Sequence, residues 1–533
     1  MKKGFLAIVL HAHLPYVRHP EYDSFFEENW LFEAITECYI PLIRSLERLH
    51  QSGVNYRLTL SLSPTLISML RDGLLQKRYL RYLSKLLDLS EKEIQRTRHQ
   101  AGYHRLARHY RRLYRDTWAI YQDLYHCDIL QAFKKYHDAG HLELITCAAT
   151  HGFLPLLNVS ETAVRNQIKI GVDTFTANMG FAPSGFWLPE CAYYPGLEAL
   201  LAESGIRYFF VDSHGITDAS QPPHNGVYAP LDCGNGVAAF GRDPESSRQV
   251  WSSHEGYPGD FDYREYYKDI GFDLDLDYIG PYILDGHIRT NTGIKYYRVT
   301  GGDNPKEIYH PKAAQAKALQ HAHDFIGKRK VQIDQLSANM DRQPIIVAPY
   351  DAELFGHWWF EGPQWLEAVL RLADQPDSTI QTASCSDYLQ AIAKHQQATP
   401  SVSTWGDQGY FSYWLNETND WIYPLLHQAE AELEKLVSDL QGLTLNTLQI
   451  RTLKQAARSV LLAQSSDWPF IMKSGTTVEY ATKRITDHLA RFNYLHDSIR
   501  KNRINERYLC ALEIMDNLFP DIDFRDYLPV KKI

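Results

Sequence analysis

Three short apolar runs end at side chains that could take up or release a proton: Phe5–Leu10 ends at His11 and His13, Gly185–Leu188 at Glu190, and Ile345–Ala348 at Asp351. Apolar runs without alternating polar residues are typical of strands that a parallel sheet buries on both faces. In parallel α/β barrels, the residues just beyond the C-terminal ends of the strands form the active-site face. We therefore predict one pocket that contains two carboxylates, the minimum that glycoside chemistry requires.

The two carboxylates also have simpler interpretations. Glu190 could be a carboxylate at the start of a helix, where the helix dipole favours a negative charge. Asp351 could cap the turn that follows it. Glu353 and Glu361 lie in the same segment and compete with Asp351 for a catalytic role. The tryptophans and the histidine crowded around them favour a binding pocket over an inert loop.

The His11-x-His13 pair also supports a second hypothesis, a metal-dependent barrel hydrolase. Two histidines on one strand face can ligate a metal, and His151, His214 and Asp351 could complete the set. No HExxH or comparable spacing accompanies them. The sequence therefore favours a site without a metal or any other cofactor.

Composition restricts the class of protein. The net charge of −9 over 533 residues argues against a general nucleic-acid-binding protein and favours a neutral, hydroxyl-rich partner. Aromatic residues make up 13%, which suits a cleft whose flat rings cover the apolar faces of sugars. The seven scattered cysteines form no CxxC pair, and this indicates a reduced, cytoplasmic protein. No apolar run reaches the roughly 18 residues of a membrane span, and we interpret Phe5–Leu10 as a strand rather than a signal peptide.

Strands and helices alternate from the first residues to about residue 384, a rhythm typical of parallel βα units. We predict a catalytic barrel over residues 1–400, a helical subdomain inserted in it at 74–136, and a C-terminal helical domain at 401–533. The insertion is rich in Arg and Tyr, and we interpret its basic residues as a solvent-exposed helix face. The irregular segment 213–304 is too aromatic to be disordered, so we expect it to form a wall of the cleft.

One βα unit can be read in detail. Ser160 can cap a helix whose apolar residues recur at spacings of four and three, and Gly180 closes that helix. The strand that ends before Glu190 follows directly. This order predicts that the helix packs on the sheet beside the Glu190 strand.

Two tryptophans mark the junction with the C-terminal helical region. A core position is the usual one for a single Trp. Trp405 and Trp414 lie on either side of a Gly-containing turn, which favours a stacking platform at the rim of the cleft. The cluster Ser465–Trp468 could join them from the helical region.

Taken together, these segments resemble glycoside hydrolase family 57. Five stretches match that family in order: HAHLPY (11–16), ATHGFLP (149–155), GFWLPECAY (185–193), PYDAELFGHWW (349–359) and TWGDQGYFSYWLN (404–416). Five ordered motifs across most of the chain are far more specific than any one of them. Within the family, WLPECAY, FGRDPESSRQVWS (240–252) and the helical C-terminal region are most similar to the 1,4-α-glucan branching enzymes.

The resemblance implies an incomplete (β/α)7 barrel, a retaining mechanism without metal, and an α-1,4-glucan as the partner. It implies that Glu190 is the nucleophile and Asp351 the general acid/base. The residues that it implies for substrate binding are His11, His13, Trp30, His151, Arg264, Gly280, Trp405, Trp414 and Asp467. A cytoplasmic monomer or dimer that binds neither nucleic acid nor membrane is expected.

In one loop the sequence departs from the family pattern. The branching enzymes carry a Tyr at the tip of a loop over the cleft, which we place here at 214–240. Tyr228 is the only Tyr in that segment, and the predicted tip at 232–236 has none. We expect this loop to set the balance between transfer and hydrolysis, with weak branching. The alternatives are a hydrolase or 4-α-glucanotransferase of the same family and a non-catalytic glycan-binding protein, although the intact Glu190–Asp351 pair argues against the last.

Overall fold

The computed structural model describes residues 2–252, 255–301 and 304–529. The last residues of the predicted C-terminal domain, 530–533, lie outside these ranges. The strands of the described ranges are β1 (Gly4–Ala12), β2 (Leu58–Leu62), β3 (Leu142–Cys147), β4 (Gly185–Trp187), β5 (Tyr208–Val211), β6 (Leu231–Asp232), β7 (Ala238–Gly241), β8 (Ile345–Asp351), β9 (Ile380–Thr382) and β10 (Gln396–Gln397).

The helices up to the last strand are α1 (Glu28–Glu33), α2 (Ile40–Gln51), α3 (Pro64–Arg71), α4 (Gly73–Arg96), α5 (Ala101–Trp118), α6 (Leu130–Asp138), α7 (Leu154–Leu157), α8 (Glu161–Met179), α9 (Leu197–Glu203), α10 (Ser213–Thr217), α11 (Pro244–Trp251), α12 (Ile270–Asp273), α13 (Leu276–Ile279), α14 (Pro311–Asn339), α15 (Gly362–Ala373) and α16 (Cys385–Ala391). The C-terminal region adds α17 (Ile422–Asp439), α18 (Thr447–Ala463), α19 (Asp467–Ser474), α20 (Val478–Arg500) and α21 (Glu506–Met515). Two π-helical segments extend α1 and α5, at Ala34–Tyr39 and Ala119–Leu124.

Short 3-10 turns occur at Pro189–Cys191, Gly226–Tyr228, Tyr257–Gly259, Gly280–Tyr282, Ala352–Leu354, Asp407–Gly409, Phe411–Tyr413 and Phe524–Tyr527.

Seven parallel strands form the barrel, in the order β7-β5-β4-β3-β2-β1-β8. Between β7 and β8 the sheet has no regular ladder, but the backbone N–H of Asp243 donates to the Val347 carbonyl at 2.9 Å. Strand β9 pairs with β1 beside β2, and β6 and β10 extend the sheet outside β7. The predicted incomplete (β/α)7 barrel is confirmed.

Alternation along the strands decides which side chains enter the barrel. On β1, Phe5, Ala7 and Val9 belong to the core inside the barrel, whereas the residues between them pack against the outer helices. On β8, Ile345 and Val347 belong to the same core inside the barrel. Because successive side chains point to opposite faces of a strand, His11 and Asp351 continue the inward series of β1 and β8.

Helix α8 has the termini that the sequence predicts. The Ser160 hydroxyl accepts the Ala163 N–H at 3.1 Å, and Gly180 ends the helix with a left-handed φ of 83°. Within α8, Gly171 lies against the backbone at the end of β3. Only a residue without a side chain allows this close approach of helix to strand.

Residues 73–138 form a helical excursion between β2 and β3, built mainly from α4 and α5. Asp72 caps α4 through its carboxylate, which accepts the N–H groups of Leu74 and Leu75. The C-terminal helices α17–α21 follow the barrel, and α18 contacts α17, α20 and α21. These positions are consistent with the predicted division into domains, whose boundaries stay predictions. No helix within the described ranges is both long and apolar enough to cross a membrane.

The prediction that the segment 214–240 forms a loop with its tip, 232–236, over the cleft is wrong. This segment contains β6 and the start of β7, which pair as an antiparallel hairpin. Ala238 at the start of β7 pairs with Tyr208 at the start of β5, so the hairpin tip lies at the N-terminal edge of the barrel, opposite the strand ends. Tyr228 packs on α14, where its hydroxyl accepts a hydrogen bond from Gln332 at 3.2 Å. The predicted tip at 232–236 therefore does not lie over a cleft at the C-terminal edge, although His214, just after β5, is at that edge and contacts Gly409.

A glycine substitution tests the packing of α8 on β3. A β-carbon at Gly171 would overlap the Cys147 carbonyl oxygen, which belongs to rigid backbone. We expect Gly171→Ala to lower the free energy of unfolding by roughly 1–3 kcal/mol, because overpacking shifts the backbone that leads to His151. Chemical denaturation measures this change. The matched control is Gly327→Ala in α14, where no atom lies near the added carbon. It should be neutral or stabilising by about 0.5–1 kcal/mol through helix propensity, and equal losses in both variants would contradict the packing explanation.

Candidate active site

The predicted catalytic residues lie at one edge of the barrel. His11 is near the end of β1, Glu190 follows β4 and Asp351 ends β8. His11 and Asp351 are register partners on adjacent parallel strands. Parallel strands bring their C-terminal ends to the same edge, so these residues come from distant parts of the chain to one place.

A chain of hydrogen bonds connects the histidines to Glu190. The Ser61 hydroxyl lies 3.1 Å from His11 Nδ1, and His11 Nε2 lies 3.0 Å from His151 Nε2. His151 Nδ1 lies 2.8 Å from the Ser466 hydroxyl oxygen, which lies 3.4 Å from Glu190 Oε1. If all donors point toward Glu190 along this series of hydrogen bonds, each ring has one nitrogen that donates and one that accepts. The Ser466 hydroxyl then donates to the Glu190 carboxylate.

The imidazole rings of His11 and His151 in this hydrogen-bond chain are both neutral at physiological pH. Burial, together with the neighbouring histidines, lowers the pKa of His11 well below its usual value. Burial and the proximity of His13 do the same to the pKa of His151, although Asp467 opposes the shift. A neutral imidazole can donate with one nitrogen and accept with the other. This property allows the one-way chain that ends at Glu190.

Glu190 is held by Trp405 from the loop after the barrel. The Trp405 indole N–H donates to Glu190 Oε2 at 2.9 Å, and its backbone N–H donates to the Glu190 carbonyl at 3.1 Å. Glu190 has a left-handed φ of 62°, as does His151 at 57°. Such conformations are rare for residues with side chains and persist where surrounding contacts over-determine them, often at functional sites.

The pKa of Glu190 is raised to about 7. Burial is the largest cause, and the charges of Asp351 and Asp467 add to it, whereas the hydrogen bond from Trp405 and the proximity of His13 oppose it. Elevated carboxyl pKa values of this kind are typical of active sites.

Burial also raises the pKa of Asp351 to about 7. Glu353 adds to the shift, and His13 and Arg242 oppose it. The Asp351 side chain does not cap the turn that follows it, so the simpler interpretation of this residue is excluded. Within the described ranges no donor hydrogen-bonds its carboxyl group. Glu190 and Asp351 therefore share a site but differ in the donors that would stabilise their anions.

His13 pairs with Asp467 at the start of α19, where His13 Nε2 lies 3.0 Å from Asp467 Oδ2. Burial acts to raise the pKa of Asp467, but His13, with His151 and Ser465, lowers it overall. The His13 ring also stacks on His151, with 3.8 Å between ring centroids. Asp467 thus brings a fixed negative charge from the helical region to the barrel edge.

The metal hypothesis can be compared with this geometry. His13, His151 and Asp467 offer donor atoms within 4.8 Å of one another. However, both His151 nitrogens lie at hydrogen-bond distance from other groups, and its ring lies parallel to that of His13. His214, which that hypothesis included, instead lies 2.7 Å from the Gly409 carbonyl oxygen. The arrangement fits a hydrogen-bonding site better than a metal site.

The competing carboxylates have structural partners. Glu353 accepts the Tyr39 hydroxyl at 2.5 Å and the His13 backbone N–H at 3.2 Å. Glu361 is fully buried and accepts the Tyr309 hydroxyl at 2.5 Å. A carboxylate that substrate cannot reach cannot be the catalytic acid, and this excludes Glu361 in this structure.

Some predicted substrate-binding residues lie outside this cluster. Trp30 packs edge-on against Tyr480, Gly280 lies close to Gly286, and Arg264 is buried between Glu37 and Phe360. Among the described residues, no hydrogen bond or ion pair joins these three to Glu190, Asp351 or the histidines. Their roles stay predictions.

The predicted stacking role of Trp414 is wrong for this structure. Its side chain is 1% exposed and stacks on Phe153 at 4.7 Å, so no ring face is open to a sugar. Trp414 instead supports the turn that carries Trp405, because Gly406 lies against its ring.

Ser466 connects His151 to Glu190, and it belongs to the cluster Ser465–Trp468 that the sequence suggested could join the site. Two other residues of the site, Arg242 and Trp251, were not singled out from sequence. Arg242 follows β7 and has its guanidinium 5.6 Å from the Trp405 ring centroid. Trp251, at the end of α11, is 39% exposed and packs edge-on against Trp405 at 6.4 Å. The position of Arg242 directly after an apolar strand was a signal that could have identified it.

The raised pKa of Asp351 predicts a stability difference that depends on pH. Between its ordinary value in the unfolded chain and about 7, the folded state binds more protons, so stability falls as pH rises through that window. We expect Asp351→Asn to be about 1–3 kcal/mol more stable than wild type at pH 8 and nearly equal at pH 3.5. Denaturant unfolding at the two pH values measures this. Asp377→Asn, at a side chain that is 82% exposed, is the control and should show no such dependence; an offset for Asp351→Asn that is the same at both pH values would contradict the prediction.

Comparison with known proteins covers almost the whole chain. Residues 425–527 match the C-terminal domain of 1,4-alpha-glucan branching enzymes. A 1,4-alpha-glucan branching enzyme of Thermococcus kodakarensis is 35% identical over 99% of this chain and 79% of its own length. A probable 1,4-alpha-glucan branching enzyme of Mycobacterium tuberculosis is 28% identical over 91% of this chain and 90% of its own.

Two solved structures have the same fold throughout. The alpha-amylase AmyC from Thermotoga maritima superposes with a TM-score of 0.92 at 43% identity, covering 98% of this chain and 99% of its own. The GH57-type branching enzyme from Pyrococcus horikoshii superposes with a TM-score of 0.88 at 33% identity, covering 99% and 98%. Residues 7–402 match the profile of glycosyl hydrolase family 57, so the resemblance is confirmed and the chain belongs to that family.

Proposed function

We propose that this chain is a 1,4-alpha-glucan branching enzyme. It cleaves an α-1,4 link of a linear glucan and transfers the released chain to a 6-hydroxyl group, which creates an α-1,6 branch. The branching enzymes of Thermococcus kodakarensis and Pyrococcus horikoshii, and the match of residues 425–527, favour this activity within the family. The observation that carries the catalytic assignment is the difference in donors between Glu190 and Asp351.

The hydrogen-bond donors around Glu190 and Asp351 indicate which carboxyl group is the nucleophile and which is the acid. Trp405 and Ser466 both present donors to Glu190, and hydrogen bonds to a carboxylate favour its ionised form. Asp351 has no such donor in the described ranges and retains its proton more readily. Two carboxyl groups that repel each other cannot both ionise easily near neutral pH, so one proton stays with Asp351. Glu190 is therefore the nucleophile and Asp351 the acid.

The reaction then proceeds in two displacements. The Glu190 carboxylate attacks C1 of the bound glucose while Asp351 gives its proton to the departing glycosidic oxygen. This forms a glycosyl ester on Glu190 and releases the rest of the donor chain. The Asp351 carboxylate then takes the proton of an incoming 6-hydroxyl, whose oxygen attacks C1 and frees Glu190. A water molecule in place of the 6-hydroxyl gives hydrolysis.

His11, His13 and His151 hold the reacting sugar in this proposal. His13 lowers the pKa of both Glu190 and Asp351, which indicates that it lies within electrostatic range of the two carboxyl groups. One of its ring nitrogens, Nδ1, is buried without a partner. A sugar hydroxyl is a suitable partner for this nitrogen, because buried polar groups are generally hydrogen-bonded.

The two catalytic roles can be separated with a substrate that needs no acid. A maltooligosaccharyl fluoride releases fluoride without a proton, whereas amylose requires protonation of the leaving oxygen. We expect Glu190→Gln to lose turnover on both substrates. Asp351→Asn should lose about 10²–10⁴-fold on amylose but keep most of the fluoride release in the first turnover. Glu417→Gln, at an exposed position near the same loop, is the control and should resemble wild type on both substrates. If the two catalytic variants showed the opposite pattern, the roles would be exchanged.

Product analysis on amylose tests the overall function. Branching lowers iodine staining with few new reducing ends, and the products become shorter after treatment with a debranching enzyme. We expect this result, unchanged by a chelator, from protein whose metal content is measured in parallel. Stoichiometric zinc together with loss of activity on chelation would favour the metal hypothesis instead.

Hydrolysis is the second candidate because AmyC, which superposes at 43% identity, is described as an alpha-amylase. The same catalytic carboxylates serve both reactions, so the difference lies in acceptor binding and in the exclusion of water. One new reducing end for every bond cleaved, without debranching-sensitive products, would establish hydrolysis.

A further inference from the structure

A large groove of the described structure lies away from the barrel edge and is strongly basic. It has a volume of about 1540 Å³ and lies among α2, α5, α14 and α15. Seven arginines and one lysine line it, against two carboxylates, Asp116 and Glu367. This gives a local charge of +6 with histidines neutral, in a chain whose net charge is −9. None of the residues that line it belongs to the Glu190 cluster.

The carboxylates neutralise only one side of the groove. Asp116 pairs with Arg44, and Glu367 pairs with Arg48 and Arg371. On the other side, five cations form no ion pair with an acidic group of the described residues: Arg98, Arg105, Arg108, Arg112 and Lys312. These cations are exposed, and a cluster of exposed cations without counter-charges creates a positive field that attracts anions.

The positive field extends to the inner wall. Burial, together with the charges of Arg112, Arg264 and Arg44, lowers the pKa of His109 to about 4. Its Nε2 atom is buried without a hydrogen-bond partner. A neutral histidine that lacks a partner among several arginines is available to a ligand group.

Two helices begin at this groove, and their N-termini add to its attraction for anions. Ala101 at the start of α5 and Pro311 at the start of α14 both line it. Neither helix has a side-chain cap or an acidic residue in its first turn. Free N–H groups and the helix dipole favour a negative charge at such ends, and phosphate is a common occupant.

The groove also has apolar surface that suits a ring. Leu319 on α14 is 47% exposed, and Phe360 and Leu113 line the same space. A single phosphate would leave most of the volume empty. A long polyanion such as RNA would meet repulsion from the rest of this acidic chain, whereas a small ligand fits within the basic groove.

We propose that this groove binds a small ligand of the nucleoside diphosphate class, with its phosphates on the arginines of α5 and its ring on the apolar wall. Arginine favours phosphate because its planar fork matches two oxygens at once. The interpretation of the basic insertion as a solvent-exposed face agrees with the exposure of Arg105, Arg108 and Arg112, which also line this open groove. The proposal does not depend on the reaction at Glu190.

Calorimetric titration of the full chain with ADP tests the proposal, with pyrophosphate, adenosine and maltoheptaose as comparison probes. We expect ADP to bind with an affinity that falls as salt increases, pyrophosphate to bind more weakly, and adenosine not to bind. The double variant Arg108→Ala/Arg112→Ala should weaken ADP binding by about tenfold or more and leave binding of maltoheptaose unchanged. Its thermal midpoint should equal or exceed that of wild type, because the substitutions relieve repulsion.

The control is Arg111→Ala/Arg115→Ala, two arginines of the same helix that do not line the groove; Arg111 pairs with Glu91 and Arg115 is 69% exposed. It removes the same charge and should bind ADP like wild type. Three outcomes would overturn the proposal: no ADP binding in the millimolar range, equal loss in both double variants, or binding of polyuridylate or polyglutamate without binding of ADP.

Discussion

The site depends on one constraint, a carboxylate that must be able to ionise in a largely buried pocket. Burial is the largest cause of the raised pKa of Glu190, and the hydrogen-bond donors around the carboxylate offset part of this effect. The Trp405 indole and the Ser466 hydroxyl supply donors, and the histidine chain orients that hydroxyl. The left-handed backbone at Glu190 places the carboxylate where these donors meet. Removing any one of them would leave the anion less well satisfied, which explains why the neighbouring groups have such restricted geometries.

Much of the barrel and the positions of Glu190 and Asp351 could be predicted because these features are local in sequence. An apolar run identifies a buried strand, and the residue that follows it lies at the active-site edge of a parallel sheet. His11, Glu190 and Asp351 satisfy this rule directly. The period of two along β1 and β8 also explains why His11 and Asp351 point inward rather than toward the outer helices. The termini of the helix between Ser160 and Gly180 could also be predicted, because helix caps depend on only a few neighbouring residues.

The misplaced features depend on pairing and packing, which no short segment encodes. The 214–240 segment looked like a loop because its strands, β6 and β7, are only two and four residues long. Only the register of β7 on β5 shows that the hairpin tip lies at the opposite end of the barrel. Trp414 looked like a stacking residue because a Trp beside a Gly-containing turn has the same composition whether it is exposed or buried. The basic face of α5 is exposed as predicted, but the groove beside it could not be predicted, because α2, α14 and α15 come from distant parts of the chain.

The C-terminal helical region contributes side chains to the candidate active site. The Ser466 backbone N–H donates to the His151 carbonyl at 3.0 Å, and Asp467 pairs with His13. The barrel alone would therefore leave His13 without its carboxylate and Glu190 without one of its two donors. Assembly of the site requires α19 to dock on the turn after β3, where His151 has the strained backbone. This dependence gives a physical reason why the similarity to the two structures compared above extends over nearly the whole chain. The barrel can specify its own fold, but the ionisation of Glu190 also requires the helical region.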